Sequence, residues 1–229
     1  MKKIEHNSVL DILFRVFLYI SSFFAIAFGV VFCLRSGIGL SSWDTLHFAL
    51  YKLMSSTFGF EQFTIGYAVI IVAMSFTVAV MILNKNLKYI FMAIPILIVG
   101  PLIDIINLDW MKDFTVSELY LQIPIYLAGL VLLPLGGALL IISKFPAGVF
   151  DEFTLAMMRI FKTNNLIKTR VIIELTAVFT AFIIGLIAGI GLGQIRVGTI
   201  IFSLSVGTLL KLYLTFFERI GLYELKQTN

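Results

Sequence analysis

The chain has 229 residues, of which 60% are hydrophobic and 13% charged, with a formal net charge of +4 and a mean hydropathy of +1.04. That composition lies outside the soluble range, indicates an integral membrane protein, and leaves no extramembrane domain to host a nucleic-acid site. A single cysteine, Cys33, excludes an internal disulfide and a cysteine-based metal cluster, and reads as a packing thiol.

The start, "MKKIEHNSVLDILFR", is charged and runs into an apolar stretch with no small-residue cleavage site behind it, so the first span is expected to be retained. Six stretches are long and apolar enough to cross a bilayer: Leu10 to Leu34, Phe63 to Leu83, Tyr89 to Ile106, Leu119 to Ile142, Ile167 to Ile190 and Val197 to Phe217. Helices are expected throughout, because a helix satisfies its own backbone groups in lipid.

After the first span, "DTLHFALYKLMSSTFGF" is too short to cross and too apolar for a plain loop. Leu46, Ala49, Leu50, Leu53 and Met54 fall on one helical face, with His47, Tyr51, Lys52 and Ser55 on the other. "DEFTLAMMRIFK", residues 151–162, repeats the pattern after the fourth span. Each segment, 44–58 and 151–162, is expected as a short helix, interfacial or re-entrant.

With a cytoplasmic N-terminus, thirteen positive residues collect inside: Lys2, Lys3, Arg15, Lys85, Lys88, Lys144, Arg159, Lys162, Lys168, Arg170, Lys211, Arg219 and Lys226. Four, Arg35, Lys52, Lys112 and Arg196, fall outside. The positive-inside bias puts both termini in the cytoplasm and Trp43 and Trp110 at the outer interface.

Sliding the chain on itself by 107 residues without a gap superposes Tyr19 on Tyr126, Gly29 on Gly136, Ser36 on Ser143, Asp44 on Asp151, Ala49 on Ala156 and Gly100 on Gly207, with Lys52 meeting Arg159. A constant offset that also aligns span boundaries and the polar turn is the signature of an internal repeat. Three spans per half is an odd number, so the halves enter the membrane from opposite sides. The expectation is one polytopic domain, residues 1–229, all-α, built as two inverted-topology three-helix repeats over 8–107 and 115–217.

These residues carry a family resemblance. "RSGIGLSSWDTLHFAL" resembles the "glG..pWDvLh..L" turn of the YczE/YyaS/YitT group of bacterial membrane proteins, and "KTRVIIEL" and "GIGLGQIRVGTIIFSLSVGTLL" resemble its "R..R..iEl" and "G..vGiGTll.all.G". The likeness covers nearly the whole chain and implies a multi-span protein of the bacterial cytoplasmic membrane, without naming an activity. Two departures stand out: Ser42 replaces the usual Pro before Trp, and the second turn's "GPRD" ends here in Val149, Phe150 and Asp151, without the arginine.

Candidate site residues follow from polarity inside an apolar chain. Ser41 and Asp44 have capping-box spacing, and Asp151 is suited to cap the second short helix directly. Both aspartates therefore start helices, or flank a substrate or ion site at two short-helix N-termini facing opposite compartments. His47 and Tyr51 share a helix face with Asp44, although the repeat counterpart of His47 is Thr154. Glu174 lies two turns inside the fifth span with Arg170 at i−4, where a carboxylate is costly unless paired or facing water; substrate or proton coupling and a structural Arg170–Glu174 pair are the two readings. Asp104 and Lys211, also repeat mates, are expected to anchor at opposite surfaces. Gly185, Gly189 and Gly193 either let helices approach closely or break the fifth span.

The function expected is a multi-pass transporter of a small solute working by alternating access. The alternative is a non-transporting membrane accessory or regulatory protein. No HExxH, no GxSxG and no convergent His and carboxylate set argues for an enzyme or a metal site, and no cofactor is expected. The partners expected are the lipid bilayer and a small-molecule solute; a homodimer is compatible with the sequence.

Overall fold

The computed structural model describes residues 9–146 and 148–222. Lys2, Lys3 and Lys226 of the charge count, and residue 8 of the first repeat, lie outside them. Among the described residues the chain is helical: α1 (Val9–Ser36), α2 (Ser42–Lys52), α3 (Ile65–Asn84), α4 (Ala93–Asp104), α5 (Leu119–Ser143), α6 (Val149–Ile160), α7 (Leu166–Ile187) and α8 (Val197–Arg219). A 3-10 turn, Leu87–Met92, leads into α4, and a wide π turn, Ile105–Trp110, extends it. Counting that extension, six helices are long and apolar enough to cross a membrane: α1, α3, Leu87–Trp110, α5, α7 and α8.

Lipid tails are as apolar as the helix sides, so close packing and buried polar contacts, rather than exclusion from water, hold such a bundle. The α1–α5 seam illustrates this. A Cβ at Gly129 would lie 2.6 Å from Cys33 Sγ and 2.8 Å from the Gly29 carbonyl, and one at Gly136 would lie 2.5 Å from Ile26 Cγ1. Glycine at these positions lets the two backbones pass at a distance no larger residue permits. The contacts pair the end of α1 with the start of α5, so the two helices are antiparallel.

The start of α1 and the ends of α3, α5 and α8 mark one end of the bundle, called here the near end; Asp104, the last residue of α4, lies at the far end. There its carboxylate accepts from the Thr64 hydroxyl at 2.6 Å and the Gly66 N–H at 2.9 Å, closing the start of α3. The open N–H groups of the helix start hold the carboxylate at that end. At the other end of the span pattern, α7 stops at Ile187, three residues short of the expected limit. Gly189, Gly191 and Gly193 follow at φ 73°, 59° and 53°, so the glycines act as a chain break.

The first short helix is inside the bundle, and α6 is partly covered, with Val149, Thr154 and Ala156 buried and Leu155, Arg159 and Ile160 exposed. Ser42, Trp43, Asp44, Thr45, Leu46, His47 and Ala49 of α2 are all buried. Trp43 packs on Phe76, midway along α3, with ring centroids 5.0 Å apart, and Phe150, in the first turn of α6, packs on the same ring at 5.7 Å. From there the helices diverge. Tyr51 and Lys52 of α2 reach the start of α3 around Thr64 and Ile65, whereas Arg159 of α6 donates to Asn84 Oδ1 at its end, at 2.7 Å. Two half-length helices thus begin at mid-depth, N-terminus toward N-terminus, and run to opposite ends. The expectation that Trp43 sits at the outer interface is corrected: it is 8% exposed because its indole N–H finds a buried acceptor, while Trp110 is 61% exposed.

The first short helix and the turn before it keep the 107-residue offset, whereas α3 moved by it gives 172–191 against Leu166–Ile187 for α7. Moving α2 by it gives 149–159, against Val149–Ile160 for α6. Even the turns match: Ser36 donates to the Cys33 carbonyl at 2.7 Å and accepts from Ile38 N–H at 3.2 Å, while Ser143 donates to Leu140 at 2.6 Å and accepts from Phe145 N–H at 3.3 Å.

Candidate functional site

Where the half-helices meet lies a cavity of about 180 Å³, well above the roughly 10–15 Å³ a single water needs on the same measure. Most of its wall is apolar: Val30, Val99, Leu133 and Leu140 with Pro95 and Pro134. Its polar lining consists of Ser41, Asp44, His47, Asp151, Arg170 and Glu174, with Trp43 and Phe150 between them.

The sequence places each of these by a local rule. Ser41 is the N-cap of α2: its hydroxyl oxygen accepts from Asp44 N–H at 3.1 Å, and its O–H donates to the Asp44 carboxylate. The capping spacing is therefore real, and it holds Asp44 at the third helical position. One turn on, His47 Nδ1 lies 3.3 Å from Asp44 Oδ1. A carboxylate only accepts, so that nitrogen carries the hydrogen and a neutral ring turns an acceptor lone pair outward at Nε2. His47 Nε2 is buried with no hydrogen-bond partner, in a residue 2% exposed.

On the opposite wall Glu174 is 1% exposed. Its Oε1 accepts from Arg170 Nε at 3.0 Å and from Trp43 Nε1 at 3.2 Å. Arg170 also forms an ion pair with Asp151 through Nη1, so one guanidinium bridges two carboxylates on two helices. Ser42 and Ser203 share a hydrogen bond at 2.6 Å in which either hydroxyl can donate, and the Ser203 hydroxyl also lies 2.7 Å from the Thr199 carbonyl. Glu174 Oε2 is a second buried acceptor with no hydrogen bond of good geometry, and the Ser42 hydroxyl is the donor beside it.

Asp151 does not cap α6. The helix begins at Val149 with Gly148 as its N-cap and no side-chain cap, which puts Asp151 in the first turn, aimed at Arg170. Both aspartates line the one cavity, and Asp151 in addition borders the near-end one. Tyr51 lies outside it. Seven residues past Asp44 on a 1.5 Å rise is about 10 Å along the axis, and Tyr51 lines a separate far-end cavity of about 480 Å³ with Arg35, Lys52, Glu61, Asp104 and Asn107. A third cavity, of about 960 Å³, opens toward the near end beside Glu152, Asn165 and Lys211. It shares Asp151 and Arg170 with the central one, so their ion pair forms a partition between the two.

Trp43 and Phe150 are the site residues that polarity-based reading passed over. Their rings stack at 4.0 Å between centroids and 16° between planes. The signal was available, since the 107-residue offset carries one aromatic onto the other. Among the described residues no group of three or more His, Cys, Asp or Glu is arranged to hold a metal ion.

A family model described as "Family of unknown function (DUF6198)" matches residues 13–215. No curated protein and no solved structure matches the chain.

Proposed function

We propose that this chain, which belongs to the family of unknown function DUF6198, is a membrane carrier of a small solute that works by alternating access, with the central cavity as its binding site. The observation that carries the reading is the meeting of α2 and α6, N-terminus to N-terminus, at a buried cavity lined by Asp44, His47, Asp151, Arg170 and Glu174. Half-length helices that end at mid-depth leave polar backbone and ionisable caps where a spanning helix would leave none, and such interrupted elements are where carriers hold their solutes.

In this reading α1 to α4 and α5 to α8 are inverted repeats, and α2 and α6 are re-entrant helices entering from opposite faces. The shared offset of α2 with α6 and of the Ser36 and Ser143 turns supports it. The partition formed by Arg170 and Asp151 is then the barrier toward the near end, and the solute passes when that pair separates. The near end is cytoplasmic, by the positive-inside bias, and the membrane is the bacterial cytoplasmic one, as the YczE/YyaS/YitT resemblance implies. The protein catalyses no reaction in this scheme.

Reconstitution into proteoliposomes tests it. Uptake of at least one solute from a metabolite panel is expected, with Glu174→Gln and Asp44→Asn each lowering the rate while thermal unfolding stays cooperative. If both variants move every transported solute at the wild-type rate, the site is misassigned. If the wild-type protein moves none and instead co-purifies with a membrane enzyme or regulator, the accessory role replaces the carrier.

A further inference from the structure

The charge balance of the central cavity selects a class of solute. Among the described residues, its ionisable lining is Asp44 and His47 on α2, Asp151 on α6, and Arg170 and Glu174 on α7; α1, α3, α4, α5 and α8 contribute no titratable side chain. Three carboxylates against one guanidinium leave a formal charge of −2 with His47 neutral and −1 with it protonated. Either way the lining is negative, in surroundings where uncompensated charge is expensive.

The distribution of that charge is equally informative. Arg170 is already divided between Asp151 and Glu174. The Asp44 carboxylate has only the Ser41 hydroxyl and the His47 imidazole as hydrogen-bond partners. The helix N-termini at the cavity would favour an anion, but each already faces a carboxylate in its own first turn, Asp44 on α2 and Asp151 on α6.

Two polar atoms of residues that line the cavity, His47 Nε2 and Glu174 Oε2, are buried without a hydrogen bond in residues at least nine-tenths buried, and with His47 neutral both are acceptors. Acceptors call for a ligand that donates. The Trp43 ring, covered on one face by Phe150, lies in the same wall, and an indole is the best aromatic partner for a cation at its other face. The remaining wall is aliphatic and suits hydrocarbon.

We infer that the cavity binds a small organic cation, an alkyl- or arylammonium whose charged nitrogen meets Asp44, His47 and Glu174 while its hydrocarbon body lies against the α4 and α5 walls. This rests on the carrier reading of the same cavity. A neutral solute would leave the negative charge standing, and an anion would add to it.

Isothermal titration of the purified full-length protein at neutral pH with three probes of one size separates the classes: 2-phenylethylammonium, 2-phenylethanol and phenylacetate. The expected result is saturable binding of the ammonium, about tenfold or more tighter than the alcohol, and none of phenylacetate. Asp44→Asn should weaken the ammonium about tenfold and leave the alcohol unchanged; because Asp44 is outside the Arg170 network, this variant stays informative even if Glu174→Gln fails to fold. Trp43→Leu should weaken the ammonium more than the alcohol. Equal or tighter binding of the alcohol or of phenylacetate, an Asp44→Asn variant that binds the ammonium as the wild type does, or no saturable ammonium binding at millimolar concentration each overturns the cation assignment. The carrier reading stands or falls separately: it survives these outcomes if proteoliposomes still transport a neutral or anionic solute, and falls with the assignment if they transport nothing.

Discussion

Trp43 and Phe150 stack face to face at 4.0 Å although 107 residues separate them, which is the offset at which the two halves of the chain correspond. Residues equivalent under a two-fold operation touch each other only where the axis passes between them. In the proposed inverted repeat the pseudo-two-fold axis therefore runs through this stack.

The stack is also a structural joint, because Phe76 closes on both rings and on Phe153 at 4.8 Å. Trp43→Ala would remove a buried indole and the donor to Glu174, a loss of about 3–5 kcal/mol by analogy with large-to-small core changes. Trp43→Phe should keep the stack and lose only the N–H bond, about 1–2 kcal/mol. Denaturant unfolding in a fixed detergent micelle measures both; equal losses for the two variants would mean that the stacking contributes nothing.

Arg170 bridges Asp151 and Glu174, with the three side chains 15%, 24% and 1% exposed. Removing the cation alone strands two buried carboxylates, so Arg170→Met is expected to cost about 3–5 kcal/mol. Neutralising the carboxylates as well, with Asp151→Asn and Glu174→Gln in the same chain, should recover most of that loss. The sign of the recovery is the readout: a triple variant less stable than Arg170→Met would show that the cost is steric.

The sequence made part of this legible and hid the rest for physical reasons. The Arg170–Glu174 pair lies on one helix at i and i+4, so spacing alone brings it together. Asp151 joins it from a different helix, 19 residues away, and its destination depends on α6 starting two residues earlier than its polar pattern indicated. Trp43 misled because indoles usually settle at membrane interfaces, and only its buried acceptor, contributed by a residue 131 positions away, makes the interior acceptable. Tyr51 shares a face with Asp44, as read, but helical rise carries it into another cavity. Faces are local properties and depth is not.

Glycine positions divide by what their missing Cβ would strike. At Gly129 a side chain would meet Cys33 Sγ and the Gly29 carbonyl, both fixed within the α1–α5 seam, whereas at Gly207 nothing lies within 4 Å. Gly129→Val is therefore expected to destabilise by about 1–3 kcal/mol or more, through overpacking. Gly207→Ala, within α8, should be neutral or stabilise by about 0.5–1 kcal/mol through helix propensity. Melting temperatures of the two variants in one detergent check the contrast, and a Gly207→Ala variant that melts far below the wild type would contradict it.

Orientation in the membrane follows from charge at the two ends and can be read chemically. Lys85 closes α3 at the near end with Arg159 beside Asn84, while Lys112 lies at the far end beyond Trp110, close in sequence to the Phe114 carbonyl that Arg35 contacts. Both lysines are exposed, and the native cysteine, Cys33, is fully buried. Single variants Lys85→Cys and Lys112→Cys thus place one accessible thiol at each end without removing the native one. Intact cells treated with a membrane-impermeant maleimide should label Lys112→Cys, and Lys85→Cys only after permeabilisation, because positive loops are retained on the cytoplasmic side. Labelling of both in intact cells would mean that the ends do not face different compartments, and the inverted repeat would lose its basis. The reverse pattern would keep the repeat and turn the carrier over, making the larger cavity beside Lys211 the extracellular one.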